Sequence, residues 1–363
     1  MSKIAVIGAG NAGSTVAAHL KLLGKDVSLY DVAENQLIPI LESGNTVHLS
    51  GALDVSGEAR IDLVTMNISE AVEGAELIIC TTPAHVHKFV AKDLAPHLVS
   101  GQFLLLNPGR TGGVLEVRKV LEEQGCRADV TVVEAQTILY ACRKDGANIN
   151  VFGVKEEVAC AGLPGKNMPR FFEIIQSVFP QFQPAKGGVW DTSLNNIGML
   201  FHPAPTLLNL GRMESGQPFD YYIDGFSPSV ADTVEKLDAD RLKVAQAMGV
   251  TPPTTVEWLK NNYHTTGENL YEALQNNEAY RGIKAPMLSG VEAKMGLRYV
   301  IEDVPSGLVP VSELGKKFGV ETPAIDAVIA LADVMFNADF RATGRNLQRL
   351  GLEGMTVEEI RNL

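Results

Sequence analysis

Residues 3–24, KIAVIGAGNAGSTVAAHLKLLG, constrain the fold of this chain more than any other stretch. Residues 3–7 are short, apolar and rich in β-branched side chains, the pattern of a parallel strand buried on both faces. Gly8, Gly10 and Gly13 follow at G-x-G-x-x-G spacing. The next stretch carries Val16, Leu20 and Leu23 on one helical stripe, and Gly24 stops it. DVSLYD then reads as a second strand ending in Asp31, close to the ~20-residue offset at which an acid takes ribose hydroxyls.

Each residue type has a physical reason. Gly8 allows the tight turn, Gly10 lets backbone approach a pyrophosphate, and Gly13 lets the helix pack close to the strand. Phosphates then lie against N–H groups at the helix N-terminus, with Ala9, Asn11 and Ala12 in the same cradle. Glycines alone occur in many turns; strand, glycines, helix, strand and terminal acid together predict a dinucleotide site. Asp31 points to NAD rather than NADP, because a carboxylate repels a 2′-phosphate; NADP stays possible if a basic neighbour offsets it. A solvated loop acid is the other reading of Asp31.

Later strands fit the same sheet. ELIICTTP (76–83) ends in small polar residues, and QFLLLNPGRTGG (102–113) ends in a glycine-rich loop. Ligands of open α/β sheets lie at the carboxyl ends of strands, so Thr81, Thr82, Pro83, Asn107, Pro108 and Gly109 are expected beside the cofactor. Arg110 is either a carboxylate ligand there or a surface arginine. VTVVEAQT (130–137) brings Glu134 to the same edge, as a substrate ligand or a solvated strand end. Residues 149–165 read as a further pair of strands and 169–180 as an amphipathic helix. PQFQPAKGG (180–188) breaks the pattern, giving a nucleotide-binding domain over 1–185 and a second domain over 186–363.

Beyond that break the strand signals fade and helical ones take over. Residues 226–249 have Ser227 as N-cap, Pro228 at N1 and Gly249 as stop; residues 322–336 repeat the design with Thr322 and Pro323. Asp191 or Thr192 is a candidate cap for an earlier helix. The predicted fold class is therefore α/β, a doubly wound parallel sheet followed by a mostly α-helical domain. With 363 residues and a formal net charge of -12, the chain has material for two cores and repels phosphate backbones, so nucleic acid is not an expected partner. No long apolar run suggests a membrane span, and the start reads as a strand rather than a signal peptide. Cys80, Cys126, Cys142 and Cys160 lack metal-ligand spacing and read as reduced thiols of a cytoplasmic protein, with no metal site expected. A homodimer is the expected assembly.

GAGNAG, then HPAPTLLN (202–209), then RYVIEDVPSGLVP (298–310) resemble, in this order, the opine dehydrogenases of the octopine and nopaline type. The resemblance covers nearly the whole chain. It implies a Rossmann domain followed by a helical domain, with the active site between them. It also implies reductive condensation of an α-keto acid with the amino group of an amino acid, using NADH or NADPH, and the reverse oxidation. The family's catalytic histidine matches His202, its aspartate partner Asp303, and its carboxylate-binding arginine Arg298. A glutamate that contacts the amino-acid partner in some members matches Glu134, more loosely. Histidine suits proton transfer near neutral pH, a carboxylate on its other nitrogen fixes the tautomer, and arginine offers a planar fork to a carboxylate.

Other readings of these residues stand beside it. A histidine between Phe201 and Pro203 is often a packed structural residue, Asp303 could be a turn acid before Pro305, and Arg298 a surface ion pair. A related two-domain reductase, of the ketopantoate reductase or glycerol-3-phosphate dehydrogenase type, shares the nucleotide half but centres on a lysine, for which no comparable motif is found. A non-catalytic NAD-binding sensor needs no histidine, carboxylate and arginine in such an arrangement.

Overall fold

The computed structural model describes residues 3–288 and 296–363. The chain divides into two compact units, Met1–Thr192 and Ser193–Leu363. The division falls inside helix Gly188–Leu194, beyond the expected 185/186 boundary.

In the first unit the strands are β1 (Lys3–Ile7), β2 (Asp26–Tyr30), β3 (Thr46–Gly51), β4 (Gly57–Arg60), β5 (Leu63–Thr65), β6 (Ala75–Cys80), β7 (Phe103–Leu106), β8 (Thr131–Ala135), β9 (Tyr140–Asp145), β10 (Asn148–Val154), β11 (Val158–Leu163) and β12 (Phe182–Pro184). Among the described residues, eight form one sheet in the order β12-β11-β8-β7-β6-β1-β2-β5. Its pairings are parallel except β11 on β8. This is the expected Rossmann-type architecture. Of the central strands, β7 and β8 are buried end to end and β1 is buried from Ile4 to Ile7, as their apolar runs predict.

Register aligns the carboxyl ends of the central strands. Ile7 pairs with both Tyr30 and Cys80, Cys80 pairs with Leu106, and Leu106 with Glu134. Gly8, Asp31, Thr81 and Asn107 therefore leave the sheet at one edge. A second sheet, β4-β3-β10-β9, was not foreseen from the sequence. It separates the two strands expected over 149–165, since β10 joins this sheet while β11 joins the large one.

The second unit is helical, as expected. Its longest described helix is Pro228–Met248, packed by helices Pro203–Leu208, Leu270–Gln275, Val309–Phe318 and Pro323–Phe336. Ser227 caps it by accepting from the Val230 N–H, and Gly249 ends it at φ 84°. Arg241, fully buried in its middle, donates to Asp238 Oδ1 at 2.6 Å, to Leu194 O at 2.6 Å and to Pro253 O at 2.7 Å. Those bonds replace the water its guanidinium loses. Thr322 occupies the cap position of Pro323–Phe336, but its hydroxyl bonds the Asp326 side chain rather than the helix backbone.

Candidate functional site

The glycine turn in the first unit has the geometry its spacing predicts. Gly8 sits at φ +101°, where a side chain is strained, and its N–H donates to Tyr30 O at 2.7 Å. A Cβ on Gly13 would fall 1.7 Å from Gly8 O, so only glycine permits this approach of helix Asn11–Leu22 to the strand end. A Cβ on Gly10 would meet nothing within 4 Å. Gly10 also supplies no side-chain cap, leaving the first N–H groups of the helix to an external acceptor. Ser14 Oγ donates to Ala9 O, and Thr81 Oγ1 to Ile7 O and Gly8 O, fixing the turn from beneath.

Asp31 is half-buried at the end of β2. Its Oδ2 accepts from the Ala9 N–H at 2.6 Å and its Oδ1 from the Ala33 N–H at 2.9 Å. Each oxygen keeps a second lone pair for a ribose hydroxyl. A cavity of about 280 Å³ opens beside it, lined by Ile7, Gly8, Asp31, Val32, Thr82 and Phe89 among others. Val32 and Phe89 are 69% and 56% exposed, which suits the walls of a slot for a flat base. Turn, uncapped helix start, acid and apolar slot together fit a dinucleotide.

Asn107 is buried behind this edge, and Asn107–Pro108 is a cis peptide. Arg110 is half-buried at φ 62°. Glu134 is 1% exposed, not a solvated strand end. Its Oε2 accepts from the Val114 N–H at 3.0 Å, near the start of helix Gly113–Glu123, and its Oε1 from Thr192 Oγ1 at 2.6 Å. The Cβ that Gly109 lacks would lie 2.3 Å from Glu134 Cβ. Glu134 thus ties a strand tip, a loop and two helices together. Thr192 spends its hydroxyl on this carboxylate and lies inside its helix, while Asp191 accepts from the N–H groups of Lys186 and Gly187.

The second unit holds the histidine cluster. His202 stands between the short helices Gly198–Phe201 and Pro203–Leu208. Its N–H donates to Gly198 O at 3.1 Å, while its carbonyl accepts from the Thr206 N–H at 3.1 Å and the Tyr221 hydroxyl at 2.8 Å. The backbone is therefore pinned on both sides. The ring is pinned as well: Nδ1 lies 2.8 Å from Asp303 Oδ2, and Nε2 lies 3.2 Å from the Tyr222 hydroxyl. Tyr299 stacks on the ring, with centroids 4.2 Å apart and planes at 10°. Asp303 is 1% exposed, and its carboxylate orients the imidazole by holding Nδ1. Burial pushes the Tyr222 phenol well above its ordinary range, so its hydroxyl keeps its proton.

Asp303 precedes a π-helical turn, Val304–Leu308. Gly307 lets this turn approach helix Gly198–Phe201, because a Cβ there would lie 2.4 Å from Met199 Cβ. Arg298 donates through Nη2 and Nε to Glu302 Oε2 at 2.7 and 3.0 Å, while its side chain stays 60% exposed. The sequence reading missed Tyr222 and Tyr299. Tyr299 sits inside the RYVIEDVP segment and could have been noticed there; nothing local marks Tyr222.

Among the described residues no group of three or more His, Cys, Asp or Glu side chains could hold a metal, and no helix is long and apolar enough to cross a membrane. The four cysteines are free thiols.

Comparison with known proteins bears on both units. Residues 185–336 match the family described as NAD/NADP octopine/nopaline dehydrogenase, alpha-helical domain. Residues 3–136 match the N-terminus of NAD-dependent glycerol-3-phosphate dehydrogenase. An opine dehydrogenase of Arthrobacter sp. (strain 1C) is 40% identical over 99% of this chain and 97% of its own length. Octopine dehydrogenase solved with NADH and L-arginine superposes with a TM-score of 0.83 at 21% identity, covering 99% of this chain and 98% of that one. Yersinopine dehydrogenase with NADP+ bound gives a TM-score of 0.80 at 14% identity, covering 100% and 99%. The two structural likenesses show a shared fold.

Proposed function

Since the chain belongs to the opine dehydrogenase family and is an NAD-dependent oxidoreductase acting on a CH–NH bond, we propose that His202 is its proton-transferring group and Asp303 the residue that positions it. The substrates in this reading are an α-keto acid and an amino acid, joined reductively to an N-(carboxyalkyl) amino acid. NADH, when bound, supplies the hydride. The residues proposed to hold it are Gly8 to Gly13, Asp31, Thr81, Thr82, Pro83 and Asn107 to Gly109. The observation that carries the reading is the 2.8 Å contact between His202 Nδ1 and Asp303 Oδ2.

His202 Nε2 exchanges the proton, because Asp303 occupies the opposite nitrogen and stabilises the imidazolium. Tyr222 keeps Nε2 in line until a substrate atom takes its place. Arg298 holds a substrate carboxylate through the guanidinium donors that Glu302 leaves over, five N–H groups being more than one carboxylate oxygen can take. Arg110 is a second candidate for a carboxylate. Glu134, 1% exposed and bonded to the Val114 N–H and the Thr192 hydroxyl, serves this reading as a positioning group for the edge on which the cofactor lies rather than as a direct ligand. A cytoplasmic location, supported by the four free thiols, and a homodimer complete the reading; sedimentation tests the latter.

The direct test mixes the protein with NADH and a panel of keto acids paired with amino acids. Steady oxidation of NADH that needs both partners is expected. Turnover of a keto acid without any amine would favour a simple reductase instead. His202→Ala should lower the rate by about 10²–10⁴ with NADH affinity nearly unchanged; near-normal turnover would remove His202 from its role.

A further inference from the structure

The nucleotide unit contains a charged group that the reading above does not use. Lys144 lies on β9, an edge strand of the small sheet, and is half-buried. Its backbone N–H donates to Asn11 Oδ1 at 2.9 Å. Its ammonium donates to Ala9 O at 2.7 Å and to Gln36 O at 2.7 Å. Ala9 is the residue whose N–H is held by Asp31 Oδ2 at 2.6 Å. A cation and an anion therefore grip the two polar ends of one residue of the glycine turn. Burial lowers the pKa of Lys144, and the carboxylate of Asp31 raises it, so the two charges interact.

The position of this cation matters for the adenosine ribose. A carboxylate at the end of β2 accepts from a 2′-hydroxyl and repels a 2′-phosphate. An ammonium has three N–H groups, of which two meet the carbonyls of Ala9 and Gln36 here, so its charge lies across Ala9 from Asp31, with opposite sign. We infer that Lys144 is a cofactor-selectivity residue, which offsets Asp31 at the ribose 2′ edge and keeps NADP(H) as well as NAD(H) within the binding range of this chain. The inference rests on the nucleotide assignment above and deepens it.

A purely structural role is the competing account: Lys144 anchors the turn from an outlying sheet, and its loss would loosen the site for both cofactors alike. Equilibrium binding separates the two. Dissociation constants for NADH and NADPH are measured by calorimetry on the full chain and on Lys144→Gln, Lys144→Met and Lys144→Arg. The expected result is a ratio of Kd for NADPH to Kd for NADH that rises about tenfold or more in the Gln and Met variants and stays within about threefold of the parent in the Arg variant. NADPH binding by the parent should also weaken with added salt more steeply than NADH binding. A proportional weakening of both cofactors, or an unchanged ratio, overturns the inference. Failure of the parent to bind either nucleotide would instead defeat the nucleotide assignment itself.

Discussion

Asp303 Oδ2 lies 2.8 Å from His202 Nδ1, joining two segments 101 residues apart in the chain. A carboxylate in this place does two things: it selects the tautomer and it steadies the charged ring. Asp303→Asn keeps the shape but loses the charge. We expect kcat to fall by about 10²–10⁴, with melting temperature and NADH affinity close to the parent's. Near-parental kcat in this variant would show that the contact is structural only.

Tyr222 meets the other nitrogen at 3.2 Å and also stacks on Tyr280, with centroids 4.3 Å apart. Tyr222→Phe removes the hydroxyl and keeps the stack. One neutral hydrogen bond is worth about 0.5–1.5 kcal/mol, so kcat/KM should drop by roughly 2–10-fold with little change in stability. Tyr222→Leu also loses the ring contacts and should be destabilised as well. Equal kcat/KM in parent and Phe variant would leave the hydroxyl without a part in orienting His202.

Gly13 and Gly10 belong to one motif but are required for different reasons. Gly13→Ala places a methyl against Gly8 O and should cost at least about 2 kcal/mol of folding stability, read by chemical denaturation. Gly10→Val meets no protein atom within 4 Å of its Cβ, so the fold should survive. Its NADH dissociation constant should nevertheless rise about tenfold or more. If Gly10→Val binds NADH as the parent does, the cofactor backbone does not pass there.

His19, buried in the first unit, shares a hydrogen with the Tyr140 hydroxyl at 2.8 Å and meets Phe179 edge-on. Burial lowers its pKa below the ordinary 6.5, the nearby Asp54 carboxylate opposing only in part. A histidine kept neutral by folding binds its proton more readily when unfolded, so stability rises with pH in this window. The stabilising contribution is complete above about pH 6.5 and is lost as pH falls from there toward the lowered folded value. His19→Gln should flatten that part of the melting temperature against pH curve; an unchanged slope would assign the acid sensitivity to other groups.

Much of the nucleotide unit could be read from residues 3–31, because glycine requirements and apolar strands are local properties. The register that aligns Gly8, Asp31, Thr81 and Asn107 follows from parallel pairing, which the apolar runs also signal. The small sheet escaped notice for a physical reason. Its strand β4 reads GEAR, with one buried residue, and β9 reads YACRKD, whose alternation is masked by charged side chains. Missing that sheet meant missing Lys144. His202 and Asp303 were legible only as a resemblance, since no local pattern shows two distant segments touching. Glu134 was read as a choice between ligand and solvent; its enclosure by Gly109, Val114 and Thr192 depends on packing that a strand-end position does not reveal.

Gly307 carries no reactive atom, yet it works as a spacer gauge. With a single hydrogen where other residues have a methyl, it lets the π-turn after Asp303 settle against Met199, whose Cβ would otherwise face a new carbon at 2.4 Å rather than an ordinary ~3.5–4.0 Å. Any widening of that seam is passed to the acid one turn away. A larger residue at this silent position is therefore expected to cost folding stability and to loosen the acid's hold on His202 together.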